Sequence, residues 1–143
     1  MKNLMSTKYS AGAFNVAMLL LRLCVGGLMI PHGYDKLVHF NTFLHGDANH
    51  QAFNVSFLGL SYYISFCLLI FAEFFCAIFV TLGLFTRLFV IPLIISTSVA
   101  LFQVAHGDVF GQMGGVLALF LIGYLVILLV GPGRISIDGV ARK

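Results

Sequence analysis

Ionisable side chains are scarce in this sequence. Asp, Glu, Lys and Arg make up 9% of its 143 residues, whereas 60% are hydrophobic and the mean hydropathy is +1.03. Soluble domains carry roughly a quarter charged and about half apolar residues. A chain of this length has no interior large enough to hide so much apolar surface from water. A soluble globule is therefore excluded, and the lipid bilayer is the solvent.

Cysteine is sparser still. Cys24, Cys67 and Cys76 all fall inside apolar runs, in no CxxC or zinc-ligand spacing, so neither a disulfide framework nor a metal site is expected. Buried apolar surroundings blunt thiol reactivity, and the three are read as packing residues. Also missing are dinucleotide-binding and haem-attachment motifs, internal repeats, coiled-coil heptads and a second domain. These absences argue against a self-sufficient enzyme and for an accessory membrane subunit.

What is present is apolar and long. Four stretches, Phe14 to Val38, Leu60 to Leu84, Leu88 to Ala105 and Met113 to Val130, each approach the ~20 residues a helix needs to span hydrocarbon. Only helices or closed barrels satisfy the backbone in lipid, and these runs lack the alternation of barrel strands. The fold class is all-α, an integral membrane four-helix bundle. A segment at 1–13 precedes the bundle at 14–130, and a tail follows at 131–143. The polar start, Arg22 within the first run and the lack of a small-residue cleavage site make that run a permanent anchor rather than a cleaved signal.

Net charge is +3, but the basic residues mark topology rather than a nucleic-acid surface. Lys2, Lys8, Arg87, Arg134, Arg142 and Lys143 fall at one end of the spans and Lys36, Asp35, Asp47 and Asp108 at the other, so the positive-inside rule places both termini in the cytoplasm. His32, His39, His45, His50 and His106 then lie in the outer half. Their spacing fits interface and loop residues better than a metal or proton-relay cluster. The loop from His39 to Gly59 carries Phe43, Leu44, Phe53, Phe57 and Leu58 and is expected at the outer interface, shielding helix ends. Asn54-Val55-Ser56 is a formal glycosylation sequon of weak weight. Pro31, His32 and Gly33 are expected to interrupt the first helix with a kink. Pro92 falls early in the third, and Gly131-Pro132-Gly133 stops the fourth. Gly26, Gly27, Gly111, Gly115 and Gly123 read as packing signals, the GxxxG spacing also permitting a homo-oligomer.

Arg22 and Glu73 are the ionisable residues deepest in apolar spans, where each costs about 2.5–3.5 kcal/mol on insertion scales. At ~1.5 Å per residue, Arg22 sits roughly 12 Å and Glu73 roughly 15 Å from the cytoplasmic ends of their helices, so a pair is expected. Two readings fit it: a clamp between helices one and two, or a polar cavity for a headgroup or proton. His32 and Lys36, one turn apart, with His106 and the deeper Gln103 from helix three, could line an outer pocket suited to a quinone carbonyl or an anion. An imidazole bonded to the carbonyl freed by Pro31, with Lys36 snorkelling to headgroups, explains the same residues.

Three motifs together resemble the DoxX family of small four-helix bacterial membrane proteins, over about Leu20 to Gly139. They are the series Arg22, Gly26, His32, Gly33, Lys36 and Leu37; Glu73 with the exit Leu82-Gly83-Leu84-Phe85-Thr86-Arg87; and the close Gly131-Pro132-Gly133-Arg134-Ile135-Ser136-Ile137-Asp138. Many members carry a glutamate near the start of helix four, where this chain has Gln112. The resemblance implies a bacterial inner (plasma) membrane location and a subunit working with a quinone or a partner oxidoreductase. A non-enzymatic scaffold or assembly factor is the first alternative. A small proton or anion transporter is the second, weakened by the lack of inverted repeats.

Overall fold

The computed structural model describes residues 10–46 and 55–141. Lys2, Lys8, Asp47, His50, Phe53, Asn54, Arg142 and Lys143 lie outside the described residues. Four helices are long and apolar enough to cross a membrane: Ala11–Val38, Tyr62–Leu82, Thr86–Val104 and Gln112–Val130. The first packs on the second and fourth, the second on the third, and the third on the fourth. Short helices at Phe40–His45 and Ile137–Ala141 complete the described secondary structure, which holds no strand.

Local chemistry sets most of the helix ends. Ser10 and Ser61 cap the first two spans through their hydroxyls, which accept from Ala13 N and Ile64 N. Gly83, left-handed at φ 77°, closes the second span with bonds to the Phe79 and Val80 carbonyls. Gly131 ends the fourth at φ 91°. The third span has no such local device. Phe85, in the capping position, is left-handed at φ 43° and offers no side-chain cap.

No interruption occurs at Pro31, since the first helix runs on to Val38 with Pro31 inside it. Pro31 is exposed on the outside of the helix, where its ring displaces no neighbouring helix. Gly33 marks close packing instead. A Cβ there would fall 2.6 Å from the Glu73 carbonyl carbon and the Phe74 nitrogen. Gly26 abuts Thr81 in the same way, and a Cβ on Gly123 would meet Val25 at 2.7 Å. These glycines let backbones approach, the main source of helix association in lipid. Gly27 faces open space, and Gly111 and Gly115 pack on the Asp108–Val109 turn of their own chain, so the GxxxG spacing serves a local turn.

The interior is small and the apolar surface large, as lipid solvent requires. Val80, Val90, Leu93, Tyr124 and Ile127 are fully buried, while Leu119 and Leu129 are 70% and 77% exposed. Phe79 stacks on Phe89 at 4.3 Å, joining the second and third spans. The Tyr124 hydroxyl donates to Val25 O at 3.0 Å, joining the fourth to the first. Within the loop after the first span, Phe40 packs on Tyr63 and Phe66, which ties its short helix to the start of the second span.

Two stretches depart from regular helix geometry. Phe71–Cys76 in the second span and Ala100–Val104 in the third adopt wide π-type turns. Such turns bond five residues apart rather than four and shift the faces that follow. No periodicity in the sequence announces them.

Candidate functional site

Polar groups gather at two places along the first span. Nearer the loop end, Glu73 sits on the wide turn of the second span, against Gly33, and is 6% exposed. Lys36, one turn beyond Gly33, reaches back and donates to Glu73 Oε2 in an ion pair. The Lys36 side chain remains 24% exposed. One of its three N–H groups is spent on Glu73. Among the described residues nothing else bonds Lys36 Nζ or Glu73 Oε1.

At the terminal end Arg22 is completely buried. Its Nη2 donates to the carbonyl of Ile135, in the tail. Gly83 leaves room for Arg22 Nη1, and a side chain there would collide with it and with Ser136. The tail is held by several further bonds. Asp138 accepts from Phe85 N at 2.8 Å, Thr86 N at 2.9 Å and Thr86 Oγ1 at 3.0 Å, and its own N–H donates to Gly83 O at 2.9 Å. Asn15 Oδ1 accepts from Arg134 N at 2.9 Å, and Ser136 Oγ bridges Gly133 O and Gly139 N. Asp138 thus supplies, from 52 residues away, the cap the third span lacks locally, and its charge acts on Arg22 electrostatically. Among the described residues Arg22 Nε and Nη1 have no hydrogen-bond acceptor.

Arg22 and Glu73 are both buried, but they do not pair. The reason is register. Arg22 lies level with Gly83, Gly26 with Thr81, and Gly33 with Glu73, so Arg22 stands ten residues, about 15 Å, from the level of Glu73. The depth count assumed that the first span starts level with the end of the second, whereas the first helix, 28 residues long, extends well past it. The residue that reaches Glu73 is Lys36, which the sequence had placed in the outer pocket.

Among the described residues the other members of that pocket make no polar contact with Lys36. His32, Gln103 and His106 are all exposed, and among the described residues none makes a hydrogen bond with Lys36 or with another of the set. His106 sits in a turn at φ 51°, and Gln103 lies on the wide turn at the end of the third span. His39 bonds Asp35 at 3.0 Å on the exposed surface. Cys76 is buried, Cys24 and Cys67 exposed, and all are free thiols. No group of three or more metal-ligating side chains occurs among the described residues. Thr86, Ser136 and Asp138 stood in the family motifs of the sequence without an assigned role, and Asn15 is the one residue of the clasp that sequence reasoning missed. One signal was available, a third helix opening on Phe85-Thr86-Arg87 with no local capping residue before it.

Four apolar spans that enclose a buried arginine and a buried carboxylate, the latter paired with a partly exposed lysine, define a small polytopic membrane protein. The DoxX family model matches residues 17–106, most of the chain, including the second and third spans whole. The chain therefore belongs to the DoxX family. No curated protein and no solved structure matches it. The fourth span and the tail lie beyond the family match, so Arg22 falls inside it and its partner Ile135 outside.

Proposed function

We propose that this DoxX protein is an accessory subunit of the bacterial inner membrane, with both termini in the cytoplasm, that works with a quinone and a partner oxidoreductase. The Lys36–Glu73 pair carries the reading, because its carboxylate is buried while both partners keep hydrogen-bonding capacity unused among the described residues. An ammonium with two spare N–H groups can donate to a quinone carbonyl, and a carboxylate with a spare oxygen can accept from a quinol hydroxyl. Reduction of a quinone takes two electrons and two protons. In this reading the partner supplies the electrons and the ion pair orients the head and relays protons. Ionisable groups held inside a membrane commonly serve such pathways.

The test is Glu73→Gln, which keeps the side-chain shape and removes the charge. Binding of a short-chain benzoquinol to the purified protein is expected to weaken about tenfold, a difference of about 1.4 kcal/mol, because the hydroxyl then donates to a neutral amide oxygen in place of a carboxylate. Equal binding by wild type and variant would remove the quinone role. The Arg22–tail clasp favours a second reading, a rigid scaffold or assembly factor, which predicts a stable protein complex whose formation is indifferent to that substitution.

A further inference from the structure

The second and third spans do not close on each other along their whole length. Between them lies a cleft of about 240 Å³, walled by Leu68, Ala72, Pro92, Ile95 and Val99 and bordered by both wide turns. Its walls carry the hydroxyls of Ser65 and Ser96, and both are engaged with main chain. Ser65 accepts from Phe57 N at 3.0 Å, and Ser96 donates to Leu93 O at 3.0 Å. Among the described residues no charged side chain lines it. The wall is otherwise apolar, with only the Ser65 hydroxyl proton and the Ser96 oxygen unspent, so an occupant that needs a counter-charge or several hydrogen bonds is not served among the described residues.

Position narrows the occupant further. The cleft runs from Pro92 to Val104, about 18 Å along the third span at ~1.5 Å per residue, close to the ~15 Å that one leaflet contributes to a ~30 Å hydrocarbon core. Val55 and Phe57 roof it at the loop end. That roof is tied down by the Phe57–Ser65 bond and by Ser56 Oγ donating to Leu60 O at 2.8 Å. A headgroup cannot stand directly above the cleft, so a chain enters sideways beneath the roof. The mouth is continuous with the lipid-facing surface, where Leu68, Phe71, Ile91 and Ile95 are all more than 40% exposed.

We propose that this cleft is a binding site for one acyl chain of a bilayer phospholipid, inserted laterally between the second and third spans. Water finds too few partners there to match its bulk hydrogen bonds, and an apolar space within hydrocarbon fills with hydrocarbon. With no group to select a head, occupancy follows concentration, and phospholipid chains are the bulk component of the bilayer. Phe71 and Ala72 line the cleft on the same wide turn that carries Glu73, so the chain props the turn that holds the ion pair. The site stands apart from the quinone reading of Lys36 and Glu73.

The experiment is native mass spectrometry of the full chain released from nanodiscs of phosphatidylethanolamine and phosphatidylglycerol, over rising detergent. Wild type is expected to retain one phospholipid after the others are stripped. Val99→Phe, which fills the cleft without adding polarity, is expected to lose that adduct at least tenfold. Retention of an isoprenoid mass instead, no retained lipid, or equal retention by a folded variant each overturns the proposal. If the variant fails to fold, a phospholipid bearing a diazirine on its acyl chain decides with wild type alone. Crosslinks at 65–72 and 92–104 support the site, and labelling confined to other segments overturns it.

Discussion

The two ends of the first span meet the same difficulty, a cation in an apolar helix, and resolve it differently. At the terminal end Arg22 is wholly enclosed and donates to a main-chain carbonyl of the tail, with Gly83 pressed against it and Asp138 nearby. At the loop end Lys36 keeps a quarter of its side chain exposed and meets a carboxylate that uses a single oxygen. The first arrangement is shut, the second open on one side. A buried charge that is enclosed and held by backbone is built to stay in place. One that keeps spare donors and a path to its surroundings can engage something else.

The largest expected effect breaks the enclosed end. A chain terminated after Gly133 loses Ile135, Ser136 and Asp138 together, leaving Arg22 buried without its acceptor and the third span uncapped. Loss of one partner of a buried charge costs about 3–5 kcal/mol, a large share of the 5–15 kcal/mol that holds a typical domain together. The truncated protein should melt far below the full chain in the same detergent. Adding Arg22→Met to the truncated chain should restore much of the difference, because the stranded charge is then gone. A truncated chain as stable as the full one would mean that the tail bonds contribute nothing.

Much of this architecture was legible in the sequence. Spans of the right length and apolarity were readable because lipid demands about twenty apolar residues and leaves few alternatives. The burial of Arg22 and Glu73 followed from the same reasoning. Their pairing was misjudged because depth was counted from helix starts, and a helix can protrude past its neighbour by several turns without changing its composition. The clasp by Asp138 was hidden for another reason. It joins residues more than fifty positions apart, and a single Asp in a polar tail looks the same whether it caps a distant helix or faces water. The wide turns at Phe71–Cys76 and Ala100–Val104 left no trace, since in a uniformly apolar segment an inserted residue changes no visible periodicity.

A smaller effect sharpens the open end. Gly33 sets the distance between the first span and the turn that carries Glu73, and a Cβ there would sit 2.6 Å from backbone atoms that cannot swing aside. Gly33→Ala should therefore force the helices apart, costing about 1–3 kcal/mol, and lengthen the reach Lys36 must make. Gly27→Ala is the control, because nothing lies within 4 Å of its Cβ position. Alanine also favours helix over glycine by about 1 kcal/mol. Opposite shifts in melting temperature are expected from two substitutions of the same kind six residues apart. Equal shifts would mean that the close approach at Gly33 is relaxed without cost.

The smallest effect separates capping from charge at the enclosed end. Asp138→Ala removes the acceptor for Phe85 N, Thr86 N and Thr86 Oγ1, and the loss of a helix cap costs about 1–2 kcal/mol. Asp138→Asn keeps one carbonyl acceptor and discards the charge that acts on Arg22. If capping dominates, the asparagine variant should recover most of the stability that alanine loses. If the charge near Arg22 dominates, asparagine should behave like alanine, and raising the salt concentration should leave both variants unchanged because the guanidinium is buried beyond the reach of counterions. Hydrogen exchange at Phe85 and Thr86 gives the matching local readout: their amides should exchange fast in the alanine variant and slowly in the asparagine variant only under the capping account.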